Sequence, residues 1–195
     1  MTNSNLYKRL GDYIETVNVR NRELKDIPLM GLSINKVFIP SIANTIGSNM
    51  ANYKVIERDY FGYGPVTSRN GEKITIALFK DYDEALMSQA YTSFKITKPD
   101  ELLSDYLMMW FSRPEFDRYA RYHSHGSARE TFDWDAMCEV ELPVPSLEKQ
   151  QKIVAEYQAV ENKIKTNEAI CEKLEASAQA LYKHWFVDFE FPNEE

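Results

Sequence analysis

LEKQQKIVAEYQAVENKIKTNEAICEKLEASAQALYKHWF, residues 147–186, decides the fold. Its core-type positions run Ile153, Tyr157, Val160, Ile164, Asn167, Cys171, Leu174, Ala178, Leu181 and Trp185, in steps that alternate four and three. That is the a/d signature of a coiled-coil seam. As one helix the stretch is about 60 Å long. A domain of this size needs no such helix for its own core, so the stretch reads as a ruler or a dimerisation arm. Asn167 breaks the apolar seam. Two readings stay open: a buried polar residue that fixes register or partner orientation, or a partly exposed position where the helix splays. Tyr157 and Trp185 are bulky for a tight two-stranded zipper.

Just upstream, Pro143-Val144-Pro145 enforces an extended chain, and Ser146 is a suitable N-cap for the helix. Before that lie short strands with turns. Leu29–Asn35, Tyr53–Ile56, Ile74–Lys80 and Tyr91–Thr97 read as strands, and Tyr60–Tyr63 leads into Gly64-Pro65. Ser41–Asn49 is a polar connection, and Ser68–Gly71 has hairpin-turn chemistry. From Asp100 the period changes: Leu103, Tyr106, Leu107, Trp110 and Phe111 fall at helical spacing, and Pro114 opens a second short helix. His123–Ser127 reads as a loop, Asp133 as the cap of a short turn, and Cys138–Leu142 as a strand. The sequence therefore predicts an α+β fold: a small mixed domain over residues 1–145, a long helix over 146–190, and a tail at 191–195.

Composition supports a packed core: 44% of the 195 residues are hydrophobic and 13% aromatic. No apolar run approaches the roughly 20 residues of a membrane span, and the stretch MTNSNLYKRLGDY lacks the apolar run expected of a signal peptide. The two cysteines, Cys138 and Cys171, suggest no disulfide framework, so a cytoplasmic protein without membrane contact is expected. The net charge of −7 argues mildly against nucleic acid. The stretch Arg113–Arg129 is nonetheless locally basic, with Arg113, Arg118, Arg121, Arg129, His123 and His125 against Glu115 and Asp117. Local field matters more than net charge for a groove-binding surface.

Catalytic signatures are missing from the sequence. It has no P-loop, dinucleotide fingerprint or Gly-x-Ser-x-Gly elbow. Pro99-Asp100 with Glu161-Asn162-Lys163 matches a nuclease pattern in letters only. His123 and His125, with no Cys or carboxylate at ligand spacing, do not make a metal site. They form either a polar loop or a contact with phosphate or base edges. Ser68–Lys73 is equally open between a surface turn and a DNA contact. In the second reading Arg69 pairs with guanine, Asn70 pairs with adenine and Lys73 holds a phosphate. Trp110, Phe111, Trp134 and Trp185 are assigned to packing.

Three passages together resemble a known family: Tyr63–Leu78 (YGPVTSRNGEKITIAL), the junction Glu141–Val154 (ELPVPSLEKQQKIV) and Tyr182–Pro192 (YKHWFVDFEFP). The junction carries Pro143, Pro145, Glu148 and Gln150 in a Pro-x-Pro-x-x-Glu-x-Gln pattern. The chain is similar to the specificity (S) subunit of type I restriction–modification enzymes, in a half-length form with one target-recognition domain and one helical spacer. The resemblance implies a non-catalytic subunit that recognises double-stranded DNA. It implies recruitment of methyltransferase subunits and, in some systems, a restriction subunit. S-adenosylmethionine and ATP are then bound by those partners, and no cofactor by this chain. The spacers of such subunits pack antiparallel, so a half-length chain is expected to pair with a second copy through the ten seam residues above and read an interrupted palindrome. The expected DNA-contacting residues are Ser68, Arg69, Asn70 and Lys73 in one loop, and His123, His125, Ser127 and Arg129 in the other. Two rival readings are a coiled-coil adaptor that binds no DNA and an acidic DNA mimic.

Overall fold

The computed structural model describes residues 6–42, 47–68, 70–71, 73–126 and 129–190. In chain order its strands are β1 (Tyr7–Arg9), β2 (Ile14–Val17), β3 (Leu29–Leu32), β4 (Phe38–Pro40), β5 (Lys54–Glu57), β6 (Phe61–Gly64), β7 (Thr75–Leu78), β8 (Glu84–Met87), β9 (Thr92–Ile96) and β10 (Glu141–Pro143). The α-helices are α1 (Ser104–Ser112), α2 (Pro114–Tyr122), α3 (Trp134–Cys138) and α4 (Leu147–Tyr182). The fold class is α+β, as expected.

Two four-stranded sheets carry the domain. One has the order β2-β9-β6-β7, antiparallel throughout. The other has the order β4-β3-β8-β5, with β3 and β8 parallel. A third, two-stranded ribbon pairs β1 with β10, so the start of the domain is tied to its exit. Phe38 and Phe79 meet edge to face at 5.0 Å in one core cluster, with Ile56 and Met87. On the other side Phe61 stacks on Phe94 at 4.8 Å, and Phe111 of α1 meets both edge-on. Phe61, Phe94 and Phe111 are fully buried, the burial that stabilises such a domain most.

Local chemistry accounts for several element ends. Pro114 is the first residue of α2, where its missing N–H costs nothing. Asp133 caps α3 by accepting from the Ala136 N–H at 2.8 Å. Two expectations need correction. The strand expected over Leu29–Asn35 ends at Leu32, because Ser33–Lys36 turns back: the Lys36 N–H donates to the Ser33 carbonyl and Lys36 takes φ +62°. Cys138, expected in a strand, closes helix α3, and the strand starts three residues later at Glu141.

The chain divides into two compact units, the first ending at Gln151 and the second beginning at Lys152. The first turn of α4 thus belongs with the domain. Gln150 explains this. Its Oε1 accepts from the Leu103 N–H at 2.9 Å, while its Nε2 donates to the carbonyls of Glu101 at 2.7 Å and Pro145 at 2.8 Å. The second unit is helical. α4 runs to Tyr182 and a π-helical turn, Lys183–Val187, follows. Trp185 lies inside that turn, so the α-helical period that places the other seam residues ends before it. Val160, Ile164, Leu174 and Leu181 are 51–65% exposed.

Candidate nucleic-acid interface

Residues 65–74 join the antiparallel strands β6 and β7, where Asn70-Gly71 signalled a hairpin turn. Two successive turns build it. The Asn70 N–H donates to the Thr67 carbonyl at 3.0 Å, and the Lys73 N–H donates to the Asn70 carbonyl at 3.3 Å. Gly71 supplies the positive φ of +63° that the second turn needs. The Asn70 side chain holds the neck of the loop, its Nδ2 donating to the Val66 carbonyl and to Thr75 Oγ1, both at 2.9 Å. Both amide hydrogens are therefore used inside the loop. The adenine-reading role expected of Asn70 has no donor left, and the residue shapes the loop instead.

The second expected segment comes to meet this loop. The Thr67 N–H donates to the Glu130 carbonyl at 3.0 Å, and Val66 and Thr131 form an antiparallel bridge. His125 and Thr131 exchange backbone hydrogen bonds at 2.9 and 3.0 Å. Arg121 Nη1 donates to the Gly71 carbonyl at 2.5 Å and its Nη2 lies 3.8 Å from Glu130. Gly126, at φ +134°, lies against Arg129; a Cβ there would be 2.1 Å from the Arg129 carbonyl oxygen. Two stretches far apart in the sequence thus form one surface.

Side chains on that surface differ in availability. Ser68, Lys73, His125 and Arg129 are exposed. His123 is half-buried, its ring tilted against the Tyr119 ring at 4.0 Å with Nδ1 donating to the Tyr119 carbonyl at 2.9 Å. Arg69 and Ser127, also expected here, lie outside the described residues. Of the basic stretch, Arg118 pairs with Glu115 at 3.0 Å, and Arg113 lies 3.4 Å over the Trp110 ring. Neither Arg129 nor Lys73 has a side-chain partner among the described residues.

Beneath the surface sits a buried ion pair that the sequence did not flag. Lys36 Nζ lies 2.7 Å from Asp117 Oδ1, with side chains 8% and 11% exposed. Lys36 also donates to the Phe111 carbonyl, and Asp117 accepts from the Ile74 N–H at 3.1 Å. One pair thereby joins the β3–β4 turn, α1, α2 and the start of β7. Burial pushes the Lys36 ammonium below its ordinary range, against the opposing pull of Asp117. A cleft of about 280 Å³ opens between the β3–β4 turn and the β6–β7 loop, lined by Leu32, Ile34, Val66, Asn70, Tyr91 and Arg129 among others. Leu32, Ile34 and Tyr91 carried no signal in the sequence, because apolar residues around a turn look like ordinary core. Among the described residues no group of three or more His, Cys, Asp or Glu is placed to hold a metal. No described helix is long and apolar enough to cross a membrane.

A mixed two-sheet domain that ends in a long helix is an architecture found in solved structures. An S subunit of a type I restriction–modification system from M. genitalium superposes with a TM-score of 0.57 at 12% identity, over 97% of this chain and 48% of that one. Sequence comparison is more specific. Residues 9–176 match the type I restriction modification DNA specificity domain, and the chain belongs to that family. The specificity subunit of type I restriction enzyme MjaIX from Methanocaldococcus jannaschii is 41% identical over 105 residues, 51% of this chain and 23% of that protein. The HindI specificity subunit from Haemophilus influenzae is 28% identical over 141 residues, 70% of this chain and 30% of that protein. The chain spans less than a third of the length of these curated relatives. Both of these relatives are named as specificity subunits.

Proposed function

We propose that this chain is the DNA-reading component of a type I restriction–modification system. The family match over residues 9–176 carries the reading. In this proposal the domain contacts double-stranded DNA through the β6–β7 loop and the segment around residues 123–131. Ser68, Arg69, Lys73, His123, His125, Ser127 and Arg129 are the contacting side chains, and Asn70 holds the loop. The chain binds no cofactor. Methyltransferase subunits supply S-adenosylmethionine chemistry and, where present, a restriction subunit uses ATP. Two copies pair through α4, and two-fold symmetry makes the target an interrupted palindrome.

Co-expression with candidate methyltransferase subunits, followed by co-purification and genome-wide methylation mapping, tests this. Marks at an interrupted palindrome that depend on this chain are the expected result. Marks at an asymmetric bipartite site mean pairing with a different half. Retained methyltransferase binding with no effect on marking means a protein adaptor that reads no DNA, and overturns the proposal.

A further inference from the structure

We infer that the cleft between the β3–β4 turn and the β6–β7 loop reads a guanine next to a thymine, with Arg129 on the guanine and Ile34 on the thymine methyl. The inference rests on the DNA-reading function proposed above and gives it base identity.

Arg129 is singled out by elimination along its own stretch. Arg113 is stacked on Trp110, Arg118 is paired with Glu115, and Arg121 is tied to the Gly71 carbonyl and Glu130. Arg129 lines the cleft, is exposed, and has no side-chain partner among the described residues. Its backbone carbonyl lies against Gly126, where a Cβ would come within 2.1 Å of it. A guanidinium without a side-chain partner has its planar fork of donors free for a planar pair of acceptors. Guanine N7 and O6 are that pair in the major groove. Asn70 lines the same cleft, but its amide hydrogens are spent on Val66 and Thr75. It cannot make the competing adenine contact.

The cleft also has an apolar lining. Ile34 is 47% exposed at the tip of the β3–β4 turn and lines the same cleft as Arg129. The turn is fixed by the buried Lys36–Asp117 pair, so the wall is preorganised. In the major groove only thymine presents an apolar group, its C5 methyl. Lys73, exposed and unpaired among the described residues, adds positive charge beside the β6–β7 loop for the adjoining phosphates.

The test uses the full chain and duplexes selected from a randomised library at low salt. The selected duplex is remade with 7-deazaguanine at each guanine and deoxyuridine at each thymine. One 7-deazaguanine should weaken wild-type binding about five-fold and leave Arg129→Ala binding unchanged. Deoxyuridine at the neighbouring thymine should weaken wild-type binding about four-fold and leave Ile34→Ala binding unchanged. Arg129→Ala that weakens all duplexes alike, with a shallower salt dependence, would make Arg129 a phosphate contact and overturn the inference. So would either variant behaving as wild type on every duplex. If the wild-type chain selects no motif at all, the DNA-reading function itself fails, a result separate from the others.

Discussion

Gln150 spends its whole amide on the domain: it accepts from the Leu103 N–H and donates to the Glu101 and Pro145 carbonyls, with the residue fully buried. Gln150→Leu keeps the size but leaves the Leu103 N–H without an acceptor. Unfolding in urea should show a loss of about 1–3 kcal/mol for that orphaned group. Tyr63 presents the opposite case. It too is fully buried, but its hydroxyl has no partner among the described residues. Tyr63→Phe should therefore raise stability by about 1 kcal/mol, read from the same unfolding curves. Burial also holds the Tyr63 phenol protonated well above its ordinary value of 10.0, with the Asp133 charge adding to the effect. A folded pKa raised above the unfolded one gives stability that is complete below about pH 10 and lost above it. Wild-type protein should lose stability from about pH 10 upward, and Tyr63→Phe should flatten that limb of the pH profile.

At the scale of elements, the Lys36–Asp117 pair decides how the β3–β4 turn sits against α1 and α2. Lys36→Met leaves a buried carboxylate whose remaining partner among the described residues is the Ile74 N–H, and should cost about 3–5 kcal/mol in thermal or urea unfolding. Burial lowers the folded pKa of Lys36 below its ordinary 10.5. The unfolded chain then holds more protons just below pH 10.5, so this group's contribution to stability rises with pH through that window, opposite in sign to Tyr63. Nothing in Ser33-Ile34-Asn35-Lys36 announces such a pair, because a lysine in a polar turn is ordinarily solvated. The elements that were legible had dense local signals. Helix α4 has a sustained period bounded by Pro143 and Pro145, and α2 opens on Pro114. By contrast β8, Glu84-Ala-Leu-Met87, consists of good helix formers, and only its pairing with β3 and β5 makes it a strand. The loop chemistry of residues 65–74 was visible in Asn70-Gly71. Its meeting with residues 123–131 was not, since bridges such as Val66 to Thr131 depend on the fold.

At the scale of the whole molecule, the apolar stripe of α4 makes a prediction about register. Val160, Ile164, Leu174 and Leu181 are half or more exposed on a helix about 54 Å long, more apolar surface than a lone chain keeps wet. In an antiparallel pair a positions face d positions. A two-fold axis near residue 169 places Tyr157 opposite Leu181 of a second copy, Val160 opposite Ala178 and Ile164 opposite Leu174. Every one of these residues lies within α4. Asn167 then faces Cys171, so the polar break and the thiol meet at the centre, where a register slip would bury the amide against aliphatic neighbours. Light scattering should find a dimer. The register follows from oxidative cross-linking, since a disulfide needs Cα atoms within about 7 Å. Asn167→Cys should cross-link two copies through Cys171, and adding Cys171→Ala should abolish the cross-link. A parallel pair would instead place residue 167 beside its own copy, and the double variant would still cross-link. Persistence of that band would rule out the antiparallel ruler, and with it the palindromic spacing of the target.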